Sequence, residues 1–396
     1  MHGKNIIITG LQNFDLGLGS NCKNIAYEFA KKNKVLYVNP PVDIATQLKS
    51  VIKRKPNPDS YSGLRKISEN LFVFSPFIRL NSVNWIKHPA LFDFFNRKNN
   101  SKFADDIKKA AAKIGFDEFI LFIDGDMFRS FYLKDLLKPS LSIYYLRDYY
   151  LGVPYWKTHG SRLEPELMKK SDLIFTNSEY LAEYSVKYNR LAKNTGQGCD
   201  IPRNYKARKP SEFRSIKTPV IGYTGALKSL RLDLKLLEDV AEAKREWTFV
   251  FVGPEDKEFA QSRLHSLPNV HFTGKKDPEK MYDYISAFDV CINPQAVNDV
   301  TKGNYPRKID EYLLMGKPVV ATKTPAMEMF SEHVYLANGK DEYIKMITMA
   351  LLNKELAKDK RKKFASAHTW SNSIKIMYDS IKKYSENAYN NVSFAG

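Results

Sequence analysis

The feature that most constrains this chain is a repeated alternation. Short, continuous apolar runs of four to six residues are separated by stretches with helical periodicity. In the first half the runs are Asn5–Thr9, Val35–Asn39, Leu71–Ser75, Phe119–Ile123, Ser142–Leu146 and Leu173–Thr176. In the second half they are Val220–Tyr223, Thr248–Val252, Val270–Thr273, Val290–Asn293 and Val319–Ala321. A strand that is apolar at every position is buried on both faces, which is the mark of a parallel sheet covered by helices. Two such sets predict an α/β chain with two doubly wound, Rossmann-like domains.

Helix signals agree with this reading. Leu232, Leu234, Leu236, Leu237 and Val240 form one apolar stripe. Asp277-Pro278 reads as a helix start with Asp277 as N-cap. Met315-Gly316-Lys317-Pro318 reads as a helix stop followed at once by a strand. The seam between the halves falls in Pro202–Pro219, which is rich in Lys, Arg, Pro and Ser and has no apolar period. The expected division is residues 1–205 for the first domain and 206–370 for the second. Residues 371–396 are expected to form a C-terminal helix, amphipathic over Ser371–Tyr384 through Ile374, Met377, Tyr378 and Ile381, with a frayed polar tail. Ligands of such sheets bind beyond the carboxyl ends of the strands, so the cleft between the two domains is the expected site.

Charge narrows the partner. Among 396 residues, 62 are Lys or Arg and 44 are Asp or Glu, a net charge of +18. Residues 1–205 hold 31 basic and 20 acidic side chains, and residues 206–396 hold 31 and 24, so the excess is spread along the chain. It points to an anionic partner: nucleic acid, a phosphorylated small molecule or an anionic membrane face. The three cysteines, Cys22, Cys199 and Cys291, are far apart and match neither a metal-ligand spacing nor a disulfide framework. No apolar run reaches transmembrane length, and the N-terminal run is too short for a signal-peptide core. A cytoplasmic location is expected.

The densest chemistry lies in Thr301-Lys-Gly-Asn-Tyr-Pro-Arg-Lys-Ile-Asp-Glu-Tyr-Leu-Leu-Met-Gly-Lys-Pro-Val-Val-Ala-Thr322. A polar loop enters a helix near Pro306, and a strand follows. Arg307 and Lys308 place cations in the first turn, against the helix dipole, and a bound diphosphate would compensate them. Glu311 lies three residues after Lys308 and can accept from two ribose hydroxyls. The same residues can equally form a surface ion pair, Arg307–Glu311 or Lys308–Glu311.

This block resembles the donor segment of GT-B glycosyltransferases, the nucleotide-sugar-using class that includes families 1 and 4. Glu311 matches the second of two family glutamates, which holds the donor ribose. Pro306-Arg-Lys308-Ile-Asp-Glu311-Tyr-Leu resembles a form found in polymer-building enzymes such as teichuronic-acid glycosyltransferases. The first family glutamate would stand at position 303, where this chain has Gly303. The resemblance extends over more than 300 residues. Ile221-Gly-Tyr-Thr-Gly-Ala226 is similar to the first strand of the donor domain, with Lys228 and Arg231 standing in for the phosphate-binding pair. Phe251-Val-Gly-Pro254, Asn269-Val-His-Phe-Thr-Gly274 and Phe288-Asp-Val-Cys-Ile-Asn-Pro294 match later strand ends, and Thr195-Gly-Gln-Gly-Cys-Asp200 matches the close of the first domain. What the resemblance implies is a donor site of Gly225, Lys228, Arg231, Gly274, Asn304, Tyr305, Arg307, Lys308 and Glu311. It also implies a final helix, headed by Trp370, that crosses back to the first domain.

The first domain is then the acceptor side. Gly17 and Gly19, between the first strand and first helix, allow close backbone approach to a phosphate or sugar, or simply make a flexible loop. A Rossmann dinucleotide site is disfavoured, because G-x-G-x-x-G is incomplete and Val38-Asn39-Pro40 lacks the ribose-binding acid. Asp124-Gly-Asp126, after an apolar run, has the form of a GT-A metal site. The donor features in the second domain favour a different role, in which Asp124 or Asp148 orients or deprotonates an acceptor hydroxyl. Both can also act as helix N-caps. His159 reads as a lone histidine in a loop. The basic cluster Lys49–Lys55 and the aromatic and cationic run Trp85–Lys98 can hold the protein on an anionic inner leaflet, or form a core-facing stripe with a solvated basic side.

The function expected is transfer of a hexosyl group from a nucleoside-diphosphate sugar to a glycan or lipid-linked hydroxyl acceptor, in cell-surface polysaccharide synthesis. The resemblance implies retention of anomeric configuration, and neither a metal nor a cofactor is expected. A nucleotide-sugar epimerase on the same fold and a catalytically silent GT-B protein are the alternatives. A nucleic-acid-binding protein is disfavoured for want of a recognisable motif.

Overall fold

The computed structural model describes residues 1–15, 20–41, 63–199, 205–301 and 303–393. The chain divides into two compact units, Met1–Gly196 with Ser373–Gly396, and Gln197–Asn372. Among the described residues, no helix is long and apolar enough to cross a membrane.

In the first unit the strands are β1 (Asn5–Gly10), β2 (Lys34–Val38), β3 (Gly63–Lys66), β4 (Leu71–Ser75), β5 (Ile120–Asp124), β6 (Leu141–Leu146), β7 (Leu173–Thr176) and β8 (Ala192–Asn194). They form one sheet in the order β3-β4-β2-β1-β5-β6-β7-β8, parallel except for β3. In the second unit β9 (Val220–Thr224), β10 (Thr248–Val252), β11 (Val270–Phe272), β12 (Val290–Asn293), β13 (Val319–Thr322) and β14 (Tyr335–Ala337) run in the order β11-β10-β9-β12-β13-β14, all parallel. The fully apolar runs predicted from sequence become the central strands. β5, β6, β9 and β10 are buried at every position. The strand order reverses at β1/β5 in one sheet and at β9/β12 in the other. Doubly wound sheets bind ligands at the carboxyl ends of the strands flanking such a reversal.

Three strands, β3, β8 and β14, lie outside the sequence-predicted set. Each is an edge strand of three or four residues. Edge strands are half-solvated, and β3 and β8 carry no continuous apolar run, whereas β14 lies in the apolar run Val334–Ala337, which the sequence-predicted set omits. The division also differs from the expected one. The first crossing falls at Gly196/Gln197 and the second at Asn372/Ser373.

The last helix, Trp370–Ser393, continues well past Tyr384, where a frayed tail was expected. The segment holds neither Pro nor Gly, so nothing in it breaks the helix. The helix is held on the first unit by its apolar stripe: Ile374, Met377 and Ile381 are 4%, 0% and 5% exposed. Burying each of these is worth about 1.5–3 kcal/mol. Its polar contacts are also long-range. Asn33 donates to the Tyr378 hydroxyl at 2.8 Å, and Tyr384 donates to Asp172 at 3.4 Å.

Two local expectations are corrected. Asp277 stands at an N-cap position, but its side chain makes no capping bond, and a single 3-10 turn, Pro278–Lys280, precedes the helix Met281–Ala287. Its carboxylate lies 3.8 Å from Lys280 instead. His159 is inside the helix Pro154–Lys170, not in a loop, and is buried. Its ring stacks on Phe92 at 3.7 Å, and its Nε2 lies 2.6 Å from the Ile86 carbonyl oxygen.

Candidate functional site

The second unit gathers its polar side chains where β9 and β12 end. Gly225, just after β9, has φ +130°, and Gly253, just after β10, has φ +153°. A Cβ on Gly253 would stand 1.9 Å from the Gly225 carbonyl oxygen, so these two strand ends touch only because Gly253 lacks a side chain. Over this glycine pair lies Lys308. Its ammonium donates to the Tyr223 hydroxyl at 2.5 Å and sits 4.1 Å from the centre of the Tyr223 ring. A Cβ on Gly225 would be 3.1 Å from Lys308 Nζ. One turn later on the same helix face, the Tyr312 hydroxyl accepts from the Thr224 amide at 2.9 Å. Lys308 and Tyr312 therefore anchor the helix Lys308–Leu314 to the end of β9.

Arg307 precedes that helix, and its Nε donates to Glu311 Oε1 at 3.2 Å. Lys308 is turned away from Glu311 to Tyr223, so of the two ion pairs the sequence allows, Arg307–Glu311 forms. The helix starts at Lys308, two residues after Pro306, and the Ile309 amide already donates to the Pro306 carbonyl. The cationic character of this corner thus rests on side chains.

Around this corner the loops are tightly tied. On the loop after β9, the Ser229 amide and hydroxyl donate to Asp256, which follows β10, at 2.7 and 3.1 Å. Burial acts to raise the Asp256 carboxyl, but bonds from the Phe259 and Ser229 amides outweigh it and hold the group below its usual range. Lys228 is exposed on this loop and Arg231 half-buried. The Arg231 carbonyl accepts from the Ala296 amide at 3.0 Å, which links the loops after β9 and β12. In the second loop Gln295 donates to the Thr301 carbonyl at 2.8 Å, and the Asn298 side chain accepts from the Val300 and Thr301 amides. Asn304 is half-buried, and its amide donates to Thr301.

Tyr305 is buried, and its hydroxyl donates to Asp310 Oδ2 at 2.6 Å. Asp310 Oδ1 lies 2.7 Å from His368 Nδ1. Burial raises the Asp310 carboxyl, while His368 and Tyr305 oppose the rise. Tyr305 therefore fixes the loop to the helix. Lys317 in the Gly-Lys-Pro stretch donates to the Ser286 and Phe288 carbonyls, both at 2.7 Å, near the amino end of β13. Gly274 follows β11, two strands from β9, and has φ +68°. The geometry brings Gly225 and Lys308 together, pairs Arg307 with Glu311, and puts Lys228 and Arg231 on the adjoining loop. Tyr223 and Tyr312 escaped the sequence reading. Their one signal was Tyr312 at four residues from Lys308.

The first unit gathers a second group where β5 and β6 end. Asp124 is fully buried, and its Oδ1 accepts from Arg147 Nε at 2.9 Å. Arg147 Nη1 donates to Asp148 Oδ2 at 3.4 Å. The Asp124 side chain is 0% exposed and that of Asp148 19%, so Asp148 is the more accessible of the two. Burial pushes the Asp124 carboxyl up, and Arg147 draws it back. Asp126 accepts from the Arg129 amide at 3.1 Å and from Arg129 Nε at 2.8 Å. The two carboxylates of Asp124-Gly-Asp126 are thus bound by different arginines. Gly17, Gly19 and the cluster Lys49–Lys55 lie outside the described residues.

Comparison with known proteins bears on the family and the fold. Residues 218–353 match the family described as Glycosyl transferases group 1. A Bacillus subtilis (strain 168) protein named as a teichuronic acid biosynthesis glycosyltransferase, TuaH, is 28% identical over 236 residues. That match covers 56% of this chain and 58% of TuaH, little more than half the length of each. Among solved structures, Anabaena Alr3699/HepE in complex with UDP superposes with a TM-score of 0.63 at 16% identity, over 95% of this chain and 100% of that one. An α,α-trehalose 6-phosphate synthase from Burkholderia multivorans gives 0.70 at 10% identity, over 98% and 100%. Residues 218–353 therefore match a group 1 glycosyltransferase domain, in a chain whose two Rossmann-like units have the GT-B fold.

Proposed function

We propose that the protein transfers a sugar from a nucleoside-diphosphate sugar to a hydroxyl acceptor, with the donor held by the second unit. The observation that carries this reading is Lys308, drawn over the Gly225–Gly253 strand ends by Tyr223 inside a group 1 glycosyltransferase domain. Lys308 and Arg307, with Lys228 and Arg231 on the adjoining loop, neutralise the leaving diphosphate. Fixed positive charge aimed at a leaving group is worth most where water is excluded. Four side-chain cations make a metal ion dispensable in this scheme. Glu311 keeps one oxygen on Arg307 and offers the other to the ribose hydroxyls.

On the acceptor side, Asp148 receives or orients the acceptor hydroxyl. Arg147 sets its position, and buried Asp124 acts behind Arg147 as a positioning residue. Retention of anomeric configuration is part of the proposal. HepE was solved with UDP and with UDP-glucose, so uridine diphosphate sugars are the first donors to try. The name of TuaH, a teichuronic acid biosynthesis glycosyltransferase, favours a polysaccharide acceptor, and a lipid-linked glycan is part of the proposal.

The test is release of nucleoside diphosphate from a panel of nucleotide sugars, with and without glycan acceptors. Acceptor-dependent release, undiminished by EDTA, supports the reading. An epimerised sugar formed from donor alone, with no acceptor present, assigns the epimerase instead. No turnover of any donor overturns both.

A further inference from the structure

We propose that the first unit carries a docking surface for an anionic lipid bilayer, made by the segment 76–88 and the first turns of the helix Pro89–Lys113. In this stretch the helix splits its aromatics. Phe92 is buried at 0%, against His159, while Leu91 and Phe94 turn outward at 48% and 52% exposure. Leu91, Phe94 and Lys98 follow one another at helical spacing along the outer face, and Lys98 Nζ lies 4.2 Å from the Phe94 ring centre. Just before the helix, Trp85 is 76% exposed, although its indole N–H is satisfied by the Ser82 carbonyl at 2.7 Å. Tyr155, at the start of the neighbouring helix, is 60% exposed.

This exposure is held in place by the fold. The Asn81 amide donates to the Asn99 side chain at 3.0 Å, and Asn99 donates back to the Asn81 carbonyl at 2.9 Å. The Ile86 carbonyl meets His159 of the adjacent helix, whose Arg162 holds Asp93 at 2.7 Å. A rigid backbone therefore presents an indole, a phenyl ring and an aliphatic side chain to solvent. Scattered apolar residues on a surface need no explanation, but a fixed cluster of them does.

Charge decides the occupant. Between Trp85 and Lys102 stand Lys87, Arg97, Lys98 and Lys102 against a single acid, Asp93, which Arg162 already engages. A second copy of a chain with charge +18 would bring like charges together. An anionic bilayer accepts both halves of this surface. Trp85 lies at headgroup depth, Leu91 and Phe94 enter the acyl boundary, and the lysines reach anionic headgroups. This inference deepens the acceptor side of the proposed function and rests on that reading for its purpose, but its test reads lipid binding alone, so either can fail without the other.

The test is co-sedimentation of the full chain with vesicles of phosphatidylcholine containing one quarter phosphatidylglycerol, and with phosphatidylcholine alone. Binding to the anionic vesicles at least tenfold stronger than to the neutral ones is expected, falling as salt is raised. The variants Trp85→Ser/Leu91→Ser/Phe94→Ser and Lys87→Glu/Lys98→Glu, checked for an unchanged melting temperature, should each lose at least tenfold. Equal binding to both lipids by the parent chain overturns the proposal. So does full binding by the folded variants. If the triple variant binds vesicles normally but loses affinity for a soluble glycan, the cluster is a carbohydrate platform and the membrane assignment fails.

Discussion

Lys308 and Tyr223 lie 85 residues apart in sequence, yet the ammonium of one donates to the hydroxyl of the other at 2.5 Å, directly over Gly225. The contact fixes the direction of the Lys308 cation between the end of β9 and the helix Lys308–Leu314. A side chain at position 225 would intrude on it. Gly225→Ala faces an unfavourable φ of +130° and a methyl group 3.1 Å from Lys308 Nζ. The strain costs about 1–3 kcal/mol, and donor affinity should fall about tenfold. Thermal melting with and without donor reads both effects; a variant with parental donor affinity would separate the glycine from the site.

The neighbouring anchor, Tyr312, is expected to act through stability. Tyr312→Phe removes the acceptor of the buried Thr224 amide, and an unsatisfied buried N–H costs about 1–3 kcal/mol. Denaturant unfolding of the variant should give that loss, with donor affinity reduced as the helix loosens.

In the first unit, Arg147→Ala leaves Asp124 buried without its partner. Breaking a buried pair from one side costs about 3–5 kcal/mol. Asp148→Asn, at the more exposed end of the same arginine, should leave stability within about 0.5 kcal/mol. Its turnover should drop by at least about tenfold, in line with loss of a general base. A stable, fully active Asp148→Asn would remove Asp148 from the reaction.

Glu164 gives the fold a pH dependence of its own. It is fully buried, accepts from the Tyr144 and Tyr184 hydroxyls at 2.9 and 3.3 Å, and is pushed by burial from 4.5 up to about 7. Between those values the folded state holds the proton that the unfolded state has lost. Stability therefore falls as pH rises from 4.5 to about 7, and the full penalty, on the order of 3 kcal/mol, is reached above that. Glu164→Gln should abolish this slope in urea unfolding curves measured across the range.

The sequence made the core of both sheets readable because central parallel strands must be apolar throughout. The misses have the opposite cause. Gly63–Lys66 and Ala192–Asn194 lie on edges, where half-solvated residues leave no apolar signature. What is local was legible: helical spacing gives Lys308, Glu311 and the Arg307–Glu311 pair. Partners brought in from elsewhere in the chain were not. Tyr223 meets Lys308, and Asp310 meets His368, only after the chain folds. Arg147 was passed over between two aspartates, although it is the residue that binds both. Trp85 and Phe94 could be read as core or surface from spacing alone, and only their exposure separates them from Phe92.

The central claim is that Lys308 and Glu311 hold a nucleoside-diphosphate sugar. Isothermal titration of the parent chain with UDP-, GDP-, ADP- and dTDP-sugars, repeated on Lys308→Ala and Glu311→Ala, tests it directly. Saturable binding of one nucleotide class is predicted, weakened at least about tenfold, or 1.4 kcal/mol, in each variant. Parental affinity in both variants, or no binding of any nucleotide sugar by the parent chain, would contradict it.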